Sequence, residues 1–89
     1  MSTQLQQYAA QHASVQVGRR TFTLEGVSQD GDIAVATLKG PRTAYHAVLC
    51  PKVRMVGYAG AEVWAVLGSR GRTVVQFALH EGRILEVHG

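Results

Sequence analysis

The stretch Arg72-Thr73-Val74-Val75-Gln76-Phe77-Ala78-Leu79-His80-Glu81-Gly82-Arg83-Ile84-Leu85-Glu86-Val87-His88 decides the fold of this chain. Residues 72–80 alternate, with Thr73, Val75, Phe77 and Leu79 on one side and Arg72, Gln76 and His80 on the other. A period of two belongs to a strand with one face against a core. Glu81-Gly82 reads as a two-residue hairpin turn. Residues 83–88 then form the return strand, with Leu85 and Val87 expected inward.

Working back from this hairpin, the same grammar recurs about every ten residues, the spacing of an all-β chain. Gly68-Ser69-Arg70-Gly71 is a second hairpin loop, and residues 62–68 are the strand before it. Ala-Glu-Val-Trp-Ala-Val-Leu also has the length of two helical turns, but its β-branched content favours a strand. Gly57-Tyr58-Ala59-Gly60 is a turn. Residues 42–56 are apolar and interrupted by Cys50-Pro51. Proline cannot donate to a ladder, so Pro51 marks either a bend in one long strand or a turn between two. Residues 32–39 and 20–27 are two more strands, the latter with Phe22 and Leu24 on one face. Ser28-Gln29-Asp30-Gly31 turns between them, and Gly40-Pro41 ends the former.

The first dozen residues read differently. Thr3 and Gln6 have the spacing of a capping box. Leu5, Tyr8, Ala9 and His12 fall on one helical face. The apolar stripe is thin, so such a helix needs a surface to lie on. The expectation is one domain over residues 1–89: a helix over 1–13, then six or seven antiparallel strands over 15–88. The strands follow one another as a meander that curls into a small barrel or strongly bent sheet, because closure removes exposed edges. The helix plugs one end or one face.

Composition bounds the function. A hydrophobic fraction of 46% excludes intrinsic disorder. No apolar run approaches the ~20 residues of a membrane-spanning helix. The N-terminus lacks the basic and apolar regions of a secretory signal, and Cys50 has no partner for an internal disulfide. These features point to a cytoplasmic protein.

Enzyme chemistry finds no foothold. There is no GxSxG, Walker loop, HExxH or CxxC motif, and no acid, base and nucleophile converge in the sequence. His46 and Cys50 share a strand face but would sit roughly 13 Å apart. His80, which flanks the last hairpin turn, is expected close to His88 across the last two strands, a pair that suits adventitious metal at most. Asp30 and Asp32 are explained by the turn that they flank. The chain is therefore expected to be no enzyme, with no cofactor and no metal.

The basic residues carry more information. Nine Lys and Arg oppose six Asp and Glu, for a net charge of +3. They cluster as Arg19-Arg20, Lys39 with Arg42, Lys52 with Arg54, and Arg70 with Arg72, while Arg83 stands apart. If residues 42–56 are one strand that Pro51 only bends, successive turns of the meander alternate between the two ends. Arg19, Arg20, Lys39, Arg42, Arg70 and Arg72 then share one end, and Asp30, Asp32 and Glu81 the other. Loops of that kind suit a phosphate backbone, with Tyr45 and the Arg70 guanidinium available to stack on bases. The expected function is a small basic barrel that binds DNA, RNA or another polyanion.

A second reading comes from strands 33–38, 45–49 and 62–68, which are apolar on both faces. A small barrel buries one face only, so a second apolar face argues for a homo-oligomer or protein-interaction module.

Overall fold

The computed structural model describes residues 3–31 and 33–87. It is mainly β, with one short helix and seven antiparallel strands in a nearly closed barrel-like sheet. Helix α1 spans Gln4–Ala9. The strands are β1 Ser14–Val17, β2 Arg20–Asp30, β3 Ile33–Lys39, β4 Ala44–Leu49, β5 Glu62–Leu67, β6 Thr73–His80 and β7 Arg83–Val87. Their order in the sheet is their order in the chain. β1 then comes back against β7 and β6.

The strands curl around one apolar interior. Phe22, Ala34, Ala36, Leu38, Ala47, Trp64, Val66, Phe77 and Leu79 point into it and are buried. Three of these positions, on β3 and β4, are alanines. Their small size leaves room for Trp64 and Phe77, which face each other on β5 and β6. Alternating small and large side chains is how a narrow barrel fills without voids. Burying each large side chain contributes about 1.5–3 kcal/mol. Two irregularities supply the curvature. One is a bulge at Glu25, between Leu24 and Gly26 in the long β2. The other is at Val74, where Val66 pairs with Val75 but Leu67 pairs with Thr73. An extra residue on one strand bends it and increases its twist.

Helix α1 plugs one end. Its capping box forms as expected, with Gln6 N–H donating to Thr3 Oγ1 and Thr3 N–H to Gln6 Oε1. Leu5 is fully buried in the core. Glu62, the first residue of β5, accepts from the N–H of Gln4 at 2.9 Å and of Leu5 at 3.2 Å. Its carboxylate also faces Trp64 Nε1 at 3.4 Å, and Gln4 Nε2 donates to the Gly60 carbonyl. A negative charge against the first-turn amides is electrostatically favourable. Among the described residues, no helix is long and apolar enough to cross a membrane.

Several expectations need correction. The helix is shorter than 1–13, and His12 lies beyond it, its ring stacked on Tyr8 at 4.1 Å. β2 continues through Ser28 and Gln29 to Asp30, so the turn begins only at Gly31, with φ +62°. Residues 42–56 are neither one bent strand nor two strands. Cys50-Pro51 ends β4, and residues 50–61 form a loop of successive turns, in which Tyr58 meets His80 edge-on at 5.6 Å.

The last hairpin also differs in its faces. Glu81 and Gly82 both take positive φ, +51° and +78°, as a two-residue turn of the I′ kind requires. This pairs His80 with Arg83 and Leu79 with Ile84. Ile84 therefore packs on the core, whereas Leu85 and Val87 lie opposite Ala78 and Gln76 on the outer face. Thr73 is exposed, because the Val74 bulge turns it away from the face of Val75.

Candidate functional site

The meander fixes which turns share an end. The β1–β2, β3–β4 and β5–β6 turns lie at the end opposite the helix plug. They carry Arg19 and Arg20, Lys39 and Arg42, and Arg70 and Arg72, six of the nine basic residues of the chain. All six are exposed.

Three of the six converge. Arg19, Arg20 and Arg42 line one concavity of 350 Å³ together with Thr21, Phe22, Pro41 and Tyr45. The β1–β2 turn reverses in two residues, with Gly18 at φ +61°, and this projects Arg19 and Arg20 at the rim. The β3–β4 turn is longer, and Gly40 N–H donating to the Thr43 carbonyl at 2.9 Å closes it. Its Pro41 and Arg42 form the facing wall. β2 supplies Phe22, which is buried, and β4 supplies Tyr45, which is half-buried and packs edge-on to Phe22 at 5.2 Å and 78°.

The other three stand apart from this concavity. Lys39 closes β3, paired with Ala44 and Thr23. Arg70 and Arg72 sit on the β5–β6 turn, held by Gly68 N–H donating to the Arg72 carbonyl and Gly71 N–H to the Gly68 carbonyl. They are on the same rim but are not among its walls.

Two features escape a reading of the sequence. Gly40 does more than end a strand. A β-carbon there would meet the Tyr45 ring, so glycine leaves the ring its seat. Glu86 of β7 brings its carboxylate beside Gly18 and lines a neighbouring concavity with Arg19 and Arg20. Counting strand directions places Glu86 at this end, but only once β7 is known to return against β1.

The far end is mixed rather than acidic. Glu81 and Glu62 stand there with Lys52, Arg54 and Arg83. Asp32 and the side chain of Asp30 lie outside the described residues, as does His88 and with it the expected His80–His88 pair. His46 is exposed on the outer face of β4, paired with Leu67. Cys50 begins the loop, its N–H donating to the Val63 carbonyl.

No protein-family model, curated protein or solved structure matches this chain.

Proposed function

We propose that this barrel is a polyanion-binding module, seated between its β1–β2 and β3–β4 turns and taking nucleic acid or a similar phosphate chain. One observation carries the reading. Arg19, Arg20 and Arg42 surround a single concavity, three cations against the one carboxylate of Glu86 in the neighbouring hollow. Guanidinium groups match phosphate oxygens in a planar, two-pronged geometry. Lys39, Arg70 and Arg72 extend the same rim and give a longer chain further contacts. Binding of this kind positions the backbone and reads no sequence by itself.

The experiment is a set of charge removals at both ends, read by fluorescence anisotropy of a labelled oligonucleotide at low salt. Changing Arg19, Arg20 and Arg42 together to Ala abolishes binding. Changing Lys52, Arg54 and Arg83 together leaves it within about twofold, since the Debye length of ~10 Å at 0.1 M salt screens the far end. Equal losses from both sets, or no binding by the native chain, would sink the reading.

A second reading rests on the outer face. Val35, Val48, Ala65, Gln76 and Val87 form one half-buried cross-strand row, while in the next row Val63 and Ala78 are already buried within the chain and Leu85 is half-buried. Neither row contains a charge. Such a face suits contact with another copy of the chain. Light scattering tests it: a dimer that Val48→Glu dissociates supports it, and a monomer at high concentration removes it.

A further inference from the structure

We propose that the ligand is single-stranded nucleic acid, with one base seated against the ring of Tyr45. This rests on the polyanion reading above and names its ligand.

The concavity is not purely electrostatic. Pro41 and Tyr45 contribute apolar surface beside the three arginines, with buried Phe22 behind the ring. A bare phosphate chain would gain nothing from that surface. A nucleotide has both parts, a phosphate for the rim and a flat ring for the wall. At 350 Å³ the space lies at the small end of the range for small-molecule sites, about 300–1,000 Å³. It is scaled to one nucleotide unit rather than to a groove of duplex.

The ring of Tyr45 is held in place before any ligand arrives. Phe22 meets it edge-on from the core side. Gly40 lies so close that a β-carbon there would be 2.6 Å from Tyr45 Cε2. A ring already fixed loses little rotamer freedom on binding. Stacking on an aromatic ring is also tolerant of base identity, because every base has a π-face. A duplex keeps its bases stacked and paired inside, and bringing one to a recessed ring costs unpairing energy. The combination of recessed ring and flanking arginines therefore selects single strands.

Three probes of equal length test this on the intact chain: a thymidine oligonucleotide, the same backbone without bases, and a duplex. The native protein is expected to bind the thymidine strand roughly 5- to 100-fold more tightly than the abasic strand. Tyr45→Leu is expected to bind both strands with the affinity of the native protein for the abasic one. Its retained abasic binding shows that the variant is folded. Tyr45→Phe is expected to keep the preference. Equal native affinity for thymidine and abasic strands would overturn the proposal and leave the polyanion reading standing. So would a duplex that binds as tightly as the single strand. No binding to any probe would remove both.

Discussion

Gly40 lies directly against Tyr45: a β-carbon on residue 40 would stand 2.6 Å from the ring's Cε2 and 3.4 Å from the Thr43 carbonyl. The turn that carries Arg42 and the ring between the arginines are thus packed as one unit. Gly40→Ala must push the ring away or open the turn. Overpacking of this kind costs about 1–3 kcal/mol, and ~1 kcal/mol lowers Tm by roughly 4–8 °C in a domain of this size. The expected result is a lower Tm together with loss of the preference for a thymidine strand over an abasic one. An alanine variant with native Tm and native preference would show that the ring has room to spare.

Glu62 joins the helix to the barrel. Its carboxylate is the acceptor for two first-turn amides across 57 and 58 residues of sequence, and it also faces the Trp64 indole. Glu62→Ala leaves those donors without their partner, at a cost of about 1–3 kcal/mol. Denaturant unfolding followed by the fluorescence of Trp64, the single tryptophan, measures this. Faster hydrogen exchange at Gln4 and Leu5 accompanies it. Unchanged stability would mean that Leu5 alone anchors the helix.

The face assignment of β7 is tested by its two neighbouring apolar residues. Ile84 packs on the core and Leu85 lies opposite Ala78 on the outer face. Ile84→Ala is expected to cost about 2 kcal/mol and Leu85→Ala under about 1 kcal/mol. The reverse order would put Leu85 inside.

Glu81 is a non-glycine residue at φ +51° in the β6–β7 turn. Asparagine takes that conformation more readily, and Asn-Gly is the favoured pair for this turn. Glu81→Asn is expected to stabilise the protein by about 0.5 kcal/mol, read from the urea midpoint with unchanged slope. A decrease would show that the carboxylate contributes more than the strain costs.

The architecture is legible in the sequence wherever pattern and turn chemistry agree. The Val75–Leu79 alternation, Glu81-Gly82, Gly68–Gly71 and the Thr3–Gln6 box all appear as read. The shared end of the three arginine turns follows from order only when the chain between β4 and β5 counts as a single reversal, which Cys50-Pro51 leaves open until the loop of residues 50–61 is seen. Faces are harder. Leu79 inward and a two-residue turn together force Ile84 inward, a constraint stronger than the apolar look of Leu85 and Val87. Bulges are invisible to a period-two count, so Thr73 appears inward until Val74 is seen to be the extra residue. Residues 50–56 resemble a continuing strand, yet Cys50-Pro51 ends β4 and they join the Gly57–Gly60 turn, with its two positive-φ glycines, in one loop. The candidate site is legible as charge but not as a cavity, since the seat of Tyr45 against Gly40 depends on the geometry of the β3–β4 turn and the approach of Glu86 to Gly18 on barrel closure.

The most direct test of the arginine end is the salt dependence of oligonucleotide binding in the native protein. Three phosphate contacts on a single strand predict a slope of about −2 for log K against log salt, or roughly 20-fold weakening from about 50 to 200 mM. The Arg19, Arg20 and Arg42 variants are each expected to make that slope shallower by about 0.7. Binding that ignores salt, or a slope that these substitutions leave unchanged, would contradict the account.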